Sequence, residues 1–199
     1  METSKQGGRS LKRRIFEILT SGDLNCAVEE LNRMPARKVV NPLFSLLYST
    51  DQKIKFAAVS AMGAVVSKLA DENMEAARVV IRRLMWNLND ESGGIGWGSP
   101  EAMGEILARH EGLAEEYAHL LLSYAREDGN YLEHTVLQRG LLWAIGRLAQ
   151  TRPHLVQDSA HFLTPFLTSD DDGVRELAVW ITAMLEKEEM RESNESCIS

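Results

Sequence analysis

The chain has 199 residues, 44% hydrophobic and 26% charged, which is enough to bury a substantial core in one or two domains. A formal net charge of −7 argues against nucleic acid as a partner, because such binding needs a basic face to replace condensed counterions. Two cysteines, Cys26 and Cys197, are too few for a disulfide framework. No apolar run approaches the ~18 residues of a membrane span. We therefore expect a cytoplasmic protein without a membrane segment.

Apolar residues recur with helical periodicity along most of the chain, and no segment shows the alternation typical of a strand. The predicted helices span residues 10–20, 23–33, 35–49, 51–69, 71–88, 100–110, 113–126, 132–150, 155–167 and 173–188. Asp23 is expected to be an N-cap, and Pro35 a first-turn residue. Residues 1–9 and 189–199 lack this periodicity and are expected to be disordered. The predicted class is all-α.

The second helices of the predicted pairs share one sequence frame. Residues 54–63 match residues 137–146 and 174–183, and residues 95–104 keep the same frame across a glycine-rich segment. The equivalent first positions, here called anchors, are Ile54, Ile95, Leu137 and Val174, at separations of 41, 42 and 37 residues. A period near 40 built from two helices indicates a HEAT or armadillo-type repeat.

The best single repeat motif is an acidic turn at residues 169–172, followed by Gly173, Val174, Arg175 and Ala178. This motif is similar to the turn of HEAT-like repeats. Over roughly residues 35–188 the chain resembles the bacterial HEAT-like group that includes phycobilin lyase subunits (the PBS-lyase type). The resemblance implies a short right-handed α-solenoid of about five helical hairpins, forming one domain over residues 10–188. It implies little about function.

The repeat frame predicts two faces for each second helix. At 100° per residue, the anchor and positions +4, +7, +8 and +11 share one face, which is expected to pack on the first helices. Positions +2, +6 and +10 point the opposite way, toward the side that lines the concave surface in HEAT-like stacks. These positions are Phe56, Ser60 and Ala64; Trp97, Glu101 and Glu105; Arg139, Trp143 and Arg147; and Glu176, Trp180 and Met184.

This predicted inner surface carries three of the four tryptophans, and tryptophan and arginine are enriched in binding hot spots. The binding hypothesis assigns apolar contact to three tryptophans, Trp97, Trp143 and Trp180. It assigns polarity to four charged residues, Arg139, Arg147, Glu101 and Glu105. The alternative is internal packing, in which Arg139 and Arg147 pair with Glu101 and Glu105.

The glycine-rich loop at residues 91–99 is a second candidate site. It follows no predicted strand, so dinucleotide-binding and Walker-type motifs are excluded by context. Ser99 is expected to be the N-cap of the next helix, whose first N–H groups could hold an anion. Nearby carboxylates favour a cationic group as the ligand instead of an anion. A third interpretation is that the loop only connects two helices. The candidate binding residues of the loop are Glu91, Gly94, Gly96 and Trp97.

His134, near a predicted helix start, could join Glu101 or Glu105 as a metal ligand or acid–base group, or could simply cap its helix. The rival function is therefore a lyase-like or metal-dependent enzyme with a pocket around Glu91, Glu101, Glu105 and His134. No zinc spacing and no catalytic triad can be assigned, so no catalytic residue, metal ligand or cofactor is predicted. The favoured function is a non-enzymatic scaffold that binds a protein partner or peptide segment on its concave face and loop. Homodimerisation through the inner face is a further alternative.

Overall fold

Helices make up most of the chain that the structure describes. The computed structural model describes the backbone of residues 2–89 and 96–196, and the side chains of residues 8–89, 96–187 and 190. These ranges contain no strand; their helices are α1 Glu2–Thr20, α2 Leu24–Asn32, α3 Ala36–Leu47, α4 Gln52–Glu72, α5 Met74–Leu88, α6 Ser99–Arg109, α7 Glu111–Ser123, α8 Thr135–Thr151, 3₁₀ helices Pro153–Leu155 and Gln157–Leu163, α9 Thr164–Leu167 and α10 Asp172–Ser196. The predicted all-α class is confirmed.

The helices form two compact units, Met1–Ala102 and Met103–Ser199. In the first unit, α4 packs on α2, α3 and α5, and α1 packs on α2 and α3. In the second unit, α8 packs on α7 and α10, and α10 also packs on α9. None of the described helices combines the length and the apolar character that crossing a bilayer requires.

The predicted core face of the repeat frame is confirmed in α4, α8 and α10. Positions +4 and +7 of these helices are fully buried in each case: Ala58 and Ala61, Leu141 and Ala144, and Ala178 and Ile181. The anchor Val174 is also fully buried, whereas Ile54 and Leu137 are half-buried at their helix starts. The anchor Ile95 lies outside the described residues. Equivalent positions of the repeat therefore have equivalent roles in packing.

Side-chain caps explain where several helices begin. The carboxylate of Asp23 accepts hydrogen bonds from the backbone N–H groups of Asn25 and Cys26, which confirms the predicted N-cap of α2. Asp51 caps α4 in the same way. Asn73 caps α5, so this helix begins at Met74, and the residues before the cap belong to α4.

The predicted helix over residues 155–167 is wrong in its form. Residues 153–167 instead contain the two 3₁₀ helices and the single turn of α9. Pro153 lies in the first turn of one 3₁₀ helix and Pro165 in the first turn of α9. Because proline lacks a backbone N–H, it disfavours a continuous α-helix through the segment.

The two ends of the chain differ from the expectation of disorder. The described backbone is helical from Glu2 in α1 and as far as Ser196 in α10. Both terminal helices include residues of high helix propensity, such as Lys5 and Gln6 in α1 and Glu192 in α10. Adding such residues to an existing helix costs little, because the helix nucleus has already formed.

Candidate functional site

Four predicted binding residues of the second unit lie together outside its core. Arg139, Trp143 and Arg147 follow at four-residue intervals along α8, so they share one helix face. Arg139 is exposed, whereas Trp143 and Arg147 are half-buried. Trp180 of α10 is 43% exposed, and its indole ring packs over Gly146 of α8. We call Arg139, Trp143, Arg147 and Trp180 the tryptophan strip.

Arg139 is fixed at the start of α10 by a two-point ion pair. Its Nε atom donates to Oδ1 of Asp171 at 2.8 Å, and its Nη2 atom donates to Oδ2. The same carboxylate accepts from the backbone N–H of Val174 at 3.0 Å. The bond from Arg139, followed by that of Val174, lowers the pKa of Asp171 to about 2. The alternative pairing of Arg139 with Glu101 is therefore wrong.

Arg147 is held by a buried carboxylate, as the packing alternative predicted. Glu105 is only 5% exposed, and its Oε2 atom accepts from Nε of Arg147 at 2.8 Å. Its Oε1 atom accepts from Nε of Arg109 at 2.7 Å. Two guanidinium groups thus compensate the buried charge, which isolated burial would strongly disfavour. Within the described chain, the Nη groups of Arg147 have no hydrogen-bond partner.

Glu101 lies in the first unit and is equally buried, at 4% exposure. Its Oε1 atom lies 2.7 Å from Nζ of Lys55. The Lys55 ammonium also lies 5.2 Å from the ring centroid of Phe56, which is within cation–π range. The expected role of Glu101 at an open surface is therefore wrong, because the carboxylate is covered and already paired.

The residues of the rival enzyme pocket serve structural roles where the structure describes them. His134 is exposed and caps α8: its Nδ1 atom accepts from the backbone N–H of Val136 at 3.2 Å. Glu101 and Glu105 are buried against lysine and arginine as above. Glu91 lies outside the described residues. Across the described ranges, no group of three or more His, Cys, Asp or Glu residues is arranged to hold a metal ion.

The glycine-rich loop is described only from Gly96 onward, so Glu91 and Gly94 lie outside the described residues. Gly98 has a φ of +78°, and a Cβ atom there would lie 2.8 Å from the carbonyl oxygen of Leu47. Only glycine fits both constraints without strain. The half-buried Trp97 has a buried Nε1 atom that makes no hydrogen bond to any described part of the chain.

The predicted N-cap role of Ser99 is wrong. Ser99 is the first residue of α6 and fully buried, and its Oγ atom has no hydrogen-bond partner among the residues that the structure describes. The carbonyl oxygen of Gly98 instead accepts the first helical bond, from the N–H of Ala102 at 3.0 Å. The turn at residues 96–98 therefore starts the helix through its backbone.

The sequence interpretation missed an exposed surface on α3 and α5. Trp86 of α5 is 75% exposed, and Val79, seven residues earlier on the same helix face, is 53% exposed. A cavity of about 300 Å³ adjoins this face, lined by Arg37, Val40, Asn41, Phe44, Leu69, Ala76, Val79, Val80 and Arg83. We call this cavity the α3–α5 groove. The signal available in the sequence was the width of the apolar stripe of α5, which exceeds what one buried face needs.

Known proteins share the repeat and the fold. The family model described as HEAT-like repeat matches residues 135–181, which include the whole tryptophan strip. An uncharacterized protein of Archaeoglobus fulgidus is 35% identical over 83 residues, which cover 40% of this chain and 42% of that protein. The chain therefore matches less than half of this relative.

Two solved structures of artificial proteins are also similar. The crystal structure of an engineered protein is 15% identical, covers 94% of this chain and 93% of its own, and has a TM-score of 0.51. A designed armadillo repeat protein in complex with the peptide (KR)4 is 17% identical over 86% of this chain and 80% of its own, with a TM-score of 0.48. The described chain is thus all-helical, and its residues 135–181 match the HEAT-like repeat model, as the recurring motifs predicted.

Proposed function

We propose that the protein is a non-enzymatic interaction module that binds a segment of a partner protein on the tryptophan strip. The observation that carries the proposal is the partly exposed Trp180, packed over Gly146 of α8, the helix that also carries Trp143 and two fixed guanidinium groups. Large aromatic side chains and arginine dominate the binding energy of protein interfaces. The HEAT-like repeat supports the general role of an interaction scaffold.

The two arginines of the strip are held in place before any partner arrives. Asp171 fixes Arg139 through two bonds, and Glu105 fixes Arg147 through one. Their conformational freedom is therefore already reduced in the free protein, which lowers the entropy lost on binding. Because Arg147 donates only its Nε–H to Glu105, its outer N–H groups remain for a carbonyl or carboxylate of the partner.

The chemistry of the strip suits a protein segment. An apolar side chain of the partner can lie on the indole rings, while its backbone carbonyls accept from the arginines. Nucleic acid is a poor ligand for the second unit, because residues 103–199 contain 8 basic and 17 acidic residues, a formal charge of −9. The proposal rests on the second unit alone.

Affinity capture from a native lysate with quantitative mass spectrometry tests the proposal. We expect Trp180→Ala to lose specific partner proteins that the unchanged protein captures. Phe16→Ala is the matched control, since it removes an aromatic side chain of similar exposure, 40% against 43%, from the first unit and outside both proposed binding surfaces. Loss of the same proteins from both variants, or from neither, would contradict a role for the strip. A dimer that Trp180→Ala dissociates in light scattering would show self-association instead.

A further inference from the structure

The α3–α5 groove is an apolar depression with a cationic rim. Its walls include Val40 and Phe44 of α3 and Val80 of α5, and its volume of about 300 Å³ suits one or two apolar side chains. Val79 and Trp86 extend the apolar surface along the outer face of α5, and both are more than half exposed. An exposed apolar patch that continues into a cavity marks a docking surface more often than a chance feature.

Two arginines define the polarity of the groove. Arg83 of α5 stacks on the ring of Phe44, with its Cζ atom 3.9 Å from the centroid, and its Nη1 atom donates to Asn41. Arg37 of α3 is exposed and makes no ion pair with any residue that the structure describes. The lining of the groove contains no acidic residue. The groove therefore combines apolar walls with positive charge that nothing in its lining neutralises.

The first unit as a whole carries a positive charge, as the groove lining does. Residues 1–102 contain 14 basic and 12 acidic residues, a formal charge of +2, although the whole chain carries −7. Among the basic residues of α5, Arg82 pairs with Glu75, whereas Arg83 has no carboxylate partner among the described residues. An acidic ligand is therefore attracted to this face of an otherwise acidic protein.

We propose that the α3–α5 groove binds an acidic amphipathic helix of a partner protein. Apolar side chains of the helix enter the cavity and pack on Val79 and Trp86, and its carboxylates pair with Arg37 and Arg83. A groove between two helices accepts a third helix through apolar residues spaced at i, i+3 or i+4 and i+7. A symmetric groove-to-groove dimer is disfavoured because it would bring the arginines of two copies together, and a groove that meets a different surface of the next copy would build a ring or an open polymer. This inference is independent of the tryptophan strip.

The test uses two fluorescein-labelled model peptides of about 16 residues, long enough to form a helix on binding. Both carry leucine at i, i+4, i+7 and i+11; one carries glutamate at the flanking positions and the other lysine. Fluorescence anisotropy with the full chain is expected to show binding of the glutamate peptide, weakened by salt, and weaker binding of the lysine peptide. Arg37→Glu is expected to reduce the affinity for the glutamate peptide about tenfold.

Three variants make the result specific. Lys38→Glu is the matched control, because it reverses the same charge on the next residue of α3, which does not line the groove. Val79→Asp is a second test of the groove. It places a carboxylate at an exposed position, so it should weaken binding of the glutamate peptide and leave folding unaffected. Trp180→Ala is expected to leave peptide binding unchanged, so failure of the groove and failure of the tryptophan strip are distinguishable.

Several results would overturn the inference. Equal affinities for the two peptides would remove the role of charge, and equal losses in Arg37→Glu and Lys38→Glu would remove the role of the groove. Absence of binding at about millimolar peptide would show that the surface binds no helix of this chemistry. Self-association that Arg37→Glu abolishes would identify a second copy as the occupant.

Discussion

The indole ring of Trp180 occupies the space above Gly146 that a side chain on that residue would need. The Cζ3 atom of the ring lies 2.3 Å from the position of a Cβ atom on Gly146, and the Cγ1 atom of Ile181 lies 3.3 Å from it. Helix α10 can therefore approach α8 this closely only because residue 146 has no side chain. The position of one strip residue thus depends on a glycine in the neighbouring helix.

We expect Gly146→Ala to displace the Trp180 ring toward solvent, because a partly exposed side chain can rotate. The overpacking costs about 1–3 kcal/mol of unfolding free energy. About 0.5–1 kcal/mol of this loss is offset, because alanine has a higher helix propensity than glycine. The Trp180 indole N–H signal in an NMR spectrum reports the displacement, and an unchanged signal would contradict the close packing.

Gly104→Ala should destabilise the protein more than Gly146→Ala. A Cβ atom at Gly104 would lie 2.5 Å from the Cβ and 2.6 Å from the Cα atom of Ala144, so backbone rather than a rotatable side chain must move. We expect a loss above about 3 kcal/mol, the upper range for overpacking. Urea unfolding of the two variants in parallel gives the comparison. Equal losses of unfolding free energy in the two variants would mean that α6 and α8 separate easily.

Glu105→Gln should remove the charge that holds Arg147. Breaking a buried ion pair costs about 3–5 kcal/mol, and the lower end applies because Arg147 and Arg109 keep access to water. Denaturant unfolding measures the loss of stability. Glu115→Gln, an exposed carboxylate of α7, is the control and should change stability little. If both variants were equally stable, the Glu105 pairs would be energetically neutral.

The loss of folding stability at low pH should depend on Arg139. The folded pKa of Asp171 is about 2, below its ordinary value of 3.8, so its carboxylate stabilises the fold above pH 4 and this contribution is lost as pH falls toward 2. Arg139→Gln should raise the pKa of Asp171 toward 3.8 and flatten this part of the pH profile. The bond from Val174 should keep part of the shift. NMR titration of the Asp171 carboxyl carbon measures the rise in its pKa and the part of the shift that Val174 retains. An unaltered pKa in Arg139→Gln would show that Arg139 is not its cause.

Ser99→Ala should be neutral or stabilising. The buried Oγ atom has no hydrogen-bond partner within residues 2–89 and 96–196, and an unsatisfied buried hydroxyl costs about 1–3 kcal/mol relative to its absence. Asp51→Ala is the contrasting control, because Asp51 caps α4 and its loss should cost about 1 kcal/mol. Thermal unfolding distinguishes the two. A destabilised Ser99→Ala variant would indicate a bond that this serine makes in solution.

Much of the fold follows from periodicity and caps that are local in sequence. The repeat frame identified the buried faces of α4, α8 and α10, and Asp23 marked the start of α2. The segment at residues 155–167 was harder, because its apolar pattern is helical while Pro165 within it and Pro153 just before it restrict the backbone. Local propensity alone does not decide between these two influences.

The site was predicted less completely than the fold, because ion pairing depends on distances between helices. The frame placed Arg139, Trp143, Arg147 and Trp180 outside the core, but it could not assign Asp171 as the partner of Arg139. It also treated Glu101 as a surface group, since nothing in one helix shows that Lys55 of another reaches it. Partner choice between charged side chains is a tertiary property.

Gly104 and Gly146 occupy the same position, nine residues after the anchor, in consecutive repeats. Each receives atoms of the following second helix, at Ala144 in one case and at Trp180 and Ile181 in the other. A duplicated hairpin could join such an array only if it kept a very small residue at this point. Designers who wish to lengthen the protein, or to alter the rise per repeat, should therefore change this position before any other.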